Sequence, residues 1–73
     1  MEFVCVLSVA GALASYQVFG NGSDDYNAVL RNEGRTDIPA QMQLRRVDGQ
    51  WDTEPHHEEI GTALIHCIEA HSG

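Results

Sequence analysis

The sequence predicts an α+β fold: an antiparallel β-meander of four to five strands with one C-terminal α-helix packed on one face. Three observations predict it. Segments ahead of residue 48 alternate apolar and polar residues, the period of a half-buried strand. Asp48-Gly49 is a strong two-residue hairpin signal. After it, Ile60, Ala63, Leu64, Cys67 and Ile68 recur at helical spacing and share one face.

The first element is the run Phe3-Val4-Cys5-Val6-Leu7-Ser8-Val9, rich in apolar and β-branched residues and therefore a strand. Gly11 sits in the bend after it. Ser15 to Phe19 alternates and forms a second strand, closed by the turn cluster Gly20-Asn21-Gly22-Ser23-Asp24. Tyr26 to Arg31 gives the third strand. Asn32 to Ala40 holds Gly34 and Pro39 among polar residues and reads as a loop. Gln41 to Val47 alternates again as the fourth strand, and Gln50-Trp51 can supply a short return strand. No repeat or linker interrupts the chain, so residues 1–73 form a single small domain.

The helix is expected from Pro55, at the favoured first helical position, to about His71, with Glu54 as N-cap. Glu58 and Glu59 in the first turns complement its dipole. Glu58, Thr62 and Glu69 lie opposite the apolar stripe. That stripe covers one face of the sheet, for which Phe3, Cys5, Leu7, Tyr16, Val18, Tyr26, Ala28, Leu30, Met42 and Leu44 form the inward set. Val4, Val6, Phe19, Val29 and Val47 then fall on the other face. A single helix leaves that face uncovered, and apolar residues on it point to a partner.

Composition bounds the partners. Eleven Asp and Glu stand against four Arg with no Lys, a formal net charge of -7. Phosphate binding needs clustered cations, so neither nucleic acid nor an anionic membrane surface fits. The sole basic pair, Arg45-Arg46, is divided between opposite sheet faces by the strand period. The run Phe3 to Ala14 ends in Ala12-Leu13-Ala14, like a secretion-signal cleavage site. It is preceded by Met1-Glu2, acidic where a signal needs positive charge, and is too short to cross a bilayer; a strand is expected instead. Asn21-Gly22-Ser23 fits a glycosylation acceptor and reads first as a turn.

Two cysteines, Cys5 and Cys67, lie at opposite ends of the chain. Small secreted scaffolds usually carry four to eight. Each of these two is embedded in an apolar pattern, so buried reduced thiols in a cytoplasmic protein are expected. The alternative is a metal- or thiol-dependent protein using Cys5, Cys67 and His71, because Cys67 and His71 are four apart on the helix and Cys5 could approach from the first strand. His57 is too far along the axis to join them.

No catalytic constellation is recognisable. His57-Glu58 begins like the zinc-protease helix motif, but Gly61 occupies the second histidine position. The cluster His56-His57-Glu58-Glu59 reads as a solvated first turn. Asp24-Asp25 lacks the rest of a calcium loop. The expectation is thus a small, acidic, non-catalytic, cytoplasmic domain with no cofactor. It acts by contact with a protein partner or itself, as a homodimer, through Val4, Val6, Phe19, Val29 and Val47.

Overall fold

A computed structural model describes residues 2–22, 24–32 and 36–72. Five strands and one helix follow in chain order: β1 (Glu2–Val9), β2 (Ala12–Gly20), β3 (Asp25–Leu30), β4 (Gln41–Val47), β5 (Gln50–Glu54) and α1 (Glu58–Ser72). The strands form one antiparallel sheet in the order β1-β2-β3-β4-β5, with β1 and β5 at its edges. The α+β meander expected from the sequence is the fold observed.

Two turns set the register. Ala10 (φ 52°) and Gly11 (φ 79°) close β1 onto β2, and Asp48 (φ 53°) and Gly49 (φ 77°) close β4 onto β5. Positive φ at both central residues is the type I′ geometry, whose twist matches that of the flanking strands. Because Val9 pairs with Ala12 directly across its turn, β2 begins at Ala12, three residues earlier than the alternation suggested. The β5 strand likewise runs to Glu54 and exceeds the short return expected.

The core lies between the inner sheet face and α1. Cys5, Leu7, Tyr16, Val18, Tyr26, Ala28, Met42 and Leu44 are buried as expected, with Phe3 and Leu30 packed at their margin. Val9, Ala14 and the loop residue Ile38 join them, as do Ile60, Leu64 and Ile68 from the helix. Ile38 is drawn inward because its loop is tied down. The Tyr16 hydroxyl donates to the Pro39 carbonyl at 2.7 Å, and Leu30 N–H donates to Ala40 O at 2.8 Å.

The helix starts three residues later than Pro55, whose peptide with Glu54 is cis. His57, not Glu54, is the N-cap. Its carbonyl accepts from Gly61 N–H at 2.7 Å, and its Nδ1 accepts from Ile60 N–H at 3.3 Å. The first is the opening i→i−4 bond of the helix; the second satisfies one of the four donors that a helix start leaves open. From there α1 crosses the sheet diagonally. Gly61 sits beside Thr53 of β5 and Met42 of β4, whereas Cys67 and His71 reach Cys5 and Phe3 of β1.

Candidate interaction surface

The strand period places alternate residues on the face opposite α1, and the register shows which become neighbours. Val4, Gln17, Val29 and Gln41 form one row across β1 to β4. Glu2, Phe19, Asn27, Gln43 and Glu54 form the next. Val6 stands opposite Ser15, and Ser8 opposite Leu13. Among the described residues, Val4, Val6, Leu13, Phe19, Val29 and Val47 are the large apolar ones left exposed, at 37% to 66% of their surface.

These six do not make one patch. Val4, Val6, Leu13, Phe19 and Val29 all lie on the β1–β3 half of the outer face. Val47 pairs with Gln50 next to the Asp48-Gly49 turn, at the far corner of the sheet. The structure therefore gathers four of the five expected residues, leaves Val47 apart, and adds Leu13. Leu13 is missing from the expected surface because Ala12-Leu13-Ala14 lies between the two assigned strands, in a stretch that resembles a secretion-signal cleavage site, and so has no face assigned from alternation. Its signal was the β1–β2 turn, whose two-residue length puts Leu13 opposite Ser8.

Polar groups on this face are mutually engaged. Gln17 Nε2 donates to Glu2 Oε2, and Gln43 Nε2 donates to Asp25 Oδ1 at 3.5 Å. Toward β5 the face turns charged, with Asp25, Arg45 and Asp52 in one row. Arg46, on the inner side of β4, pairs with Asp24 at 2.7 Å and lies over the Trp51 ring at 5.3 Å.

The cysteines correct an expectation. Cys5 and Cys67 are joined in a disulfide, with Cα atoms 6.3 Å apart. They are not reduced core thiols, and the metal alternative loses both of its thiolates. Its third member, His71, stacks on Phe3 with ring centroids 4.1 Å apart and planes inclined by 20°. Among the described residues no group of three His, Cys, Asp or Glu side chains is placed to hold a metal ion. Nothing local in the sequence favours this pairing over reduced thiols, because 62 positions separate the two residues; only the diagonal course of α1 brings them together.

The His56-His57-Glu58-Glu59 cluster is also divided. His57 serves as the helix cap, while His56 and Glu58 border a shallow groove with Trp51, Thr53 and Thr62. Ser23 of the glycosylation pattern lies outside the described residues. No helix among the described residues is long and apolar enough to cross a membrane. No family model, curated protein or solved structure matches this chain.

Proposed function

We propose that this chain is a small, acidic, non-catalytic interaction domain that binds a protein partner, its own copy included, through the outer face of its sheet. The observation that carries this reading is the grouping of Val4, Val6, Leu13, Phe19 and Val29 on the face that α1 does not cover. Burying a valine, leucine or phenylalanine side chain is worth about 1.5–3 kcal/mol, so a partner seated on this patch gains substantially. Water is a poor neighbour for five such residues on one half of a sheet.

We also propose an oxidising compartment, on the strength of the bridge between Cys5 and Cys67. Disulfides persist in oxidising environments and are rare in the cytosol. The bridge supports an oxidising compartment over the cytoplasmic placement that the cysteine count suggested.

Native mass spectrometry over a concentration series, on the wild type and on Val29→Glu, tests the interaction reading. The expected result is association of the wild type, lost in the variant while its circular dichroism stays native. A wild type that is monomeric throughout, with a variant that only unfolds, sinks the self-associating form of the proposal.

A further inference from the structure

We infer that the partner is a second copy of this chain, joined edge to edge through β1 in an antiparallel twofold pairing centred on Val6. This rests on the interaction reading above for a self-partner and places the contact at the strand edge that borders the outer patch, not on the patch itself.

The two sheet edges differ in how they are protected. At the β5 edge, Asp52 and Glu54 are charged and Pro55 follows directly, devices that blunt strand pairing. The β1 edge carries Phe3-Val4-Cys5-Val6-Leu7-Ser8-Val9 with neither proline nor charge after Glu2. Among the described residues, no backbone hydrogen bond from a turn or loop reaches it.

The hairpin decides which backbone groups point outward. A two-residue I′ turn closes on a hydrogen-bonded pair, here Val9 and Ala12, and bonded and non-bonded pairs then alternate. Val6 and Ser15 therefore form a non-bonded pair. Ser15 confirms this: its carbonyl accepts from Arg31 N–H at 2.8 Å and its N–H donates to Asn32 Oδ1 at 2.6 Å, both away from β1. The N–H and C=O groups of Val4, Val6 and Ser8 consequently face the open edge.

A twofold pairing must match outward groups with outward groups and keep each side chain on its own face. Centring on Val6 does both. It sets Val6 against Val6 and Val4 against Ser8 on the outer face, with Cys5 against Leu7 and Phe3 against Val9 on the inner face. Glu2, the one acid on β1 or β2, falls beyond the paired stretch. The two apolar outer patches merge across the seam.

Helix placement selects this centre over its neighbour at Cys5. The end of α1 lies over β1 at Phe3 and Cys5. Centring on Cys5 would bring the two helix ends within about two residues of each other along the strand. Centring on Val6 separates them by about four residues, or ~14 Å, enough for helices about 10 Å wide. Five acids, Asp48, Asp52, Glu54, Glu58 and Glu59, gather at the β4–β5 end, away from the seam. Glu69 lies on the end of α1 over β1, a further reason for the two helix ends to stand apart.

The test is sedimentation equilibrium on wild type, Val6→Pro, Val6→Lys and Val29→Glu, with amide hydrogen exchange on the wild type at low and high concentration. Proline is tolerated on an edge strand where its missing N–H would face outward, so Val6→Pro keeps the β1–β2 ladder and removes the central bonds of the seam. The expected result is a wild-type dimer, weakened at least tenfold by Val6→Pro and Val6→Lys. Protection of the Val4, Val6 and Ser8 amides should rise with concentration. Should Val6→Pro fail to fold, Val6→Lys and the exchange data decide alone.

Dimers that survive both Val6 substitutions but not Val29→Glu would overturn the edge pairing and leave the face reading standing. Loss in the Val6 variants with Val29→Glu unaffected would support the edge and remove the face. A wild type monomeric at every concentration, including one whose edge takes up only an unrelated extended peptide, overturns the pairing of two copies.

Discussion

Cys5, in the middle of β1, and Cys67, near the end of α1, are bonded across a separation of 62 residues. The bridge pins the helix end to an edge strand that has only one neighbour in the sheet. In a domain this small the hydrophobic core leaves only a few kcal/mol of net stability, so one covalent tie is a large share. A loop of this length constrains the unfolded chain by about 4 kcal/mol in the entropy model. Replacing both cysteines with alanine should lower the urea midpoint markedly, by a free-energy loss of about 2–4 kcal/mol. An unchanged midpoint would mean that core contacts alone hold α1 on β1.

Tyr16 is fully buried and hydrogen-bonds through its hydroxyl to the Pro39 carbonyl. Tyr16→Phe keeps the ring and leaves that carbonyl unpaired, at a cost of about 1–3 kcal/mol. The loss should be local first. Exchange of the Leu30 amide, which donates to Ala40 in the same loop, should accelerate before global unfolding does. Equal acceleration across the sheet would show that the loop is not a separate unit.

His57 caps α1 through Nδ1, an acceptor only when that nitrogen carries no proton. His57→Ala should cost about 0.5–2 kcal/mol, while His57→Asn, a favoured cap, should recover most of it. Thermal melts of the three proteins at one neutral pH measure this. Equal melting of the alanine and asparagine variants would deny the histidine a capping role.

Gly61 lies in the first turn of α1, where a Cβ would meet Thr53 Cγ2 at 3.5 Å and Met42 Cε at 3.9 Å, ordinary contact distances. Gly61→Ala should therefore stabilise, by up to about 1 kcal/mol, through helix propensity and reduced freedom of the unfolded chain. Gly61→Leu has no such room and should destabilise. A lower denaturation midpoint for Gly61→Ala would show that α1 sits closer to β5 than these distances state.

Much of the fold was legible because its signals are local. Alternation at Gln41–Val47 marked β4 to the residue, and Asp48-Gly49 marked its turn. Ala10-Gly11 makes the same kind of turn without the usual sequence, since alanine rarely takes positive φ. That hid the start of β2 and, with it, Leu13. The outer patch was half legible: alternation put Val4, Val6, Phe19, Val29 and Val47 on one face, but nothing local said that Val47 stands at the opposite corner.

By itself, the sequence determined the strand and helix periods, the antiparallel meander class and the division of side chains between two faces. Each of these depends on residues a few positions apart, where backbone geometry and apolar spacing act directly. Only the tertiary structure decided the helix's diagonal course, the bond between Cys5 and Cys67, the change of cap from Glu54 to His57, and which apolar residues adjoin the open β1 edge. Those depend on how α1 settles over the sheet, a packing minimum shared among residues far apart in the chain.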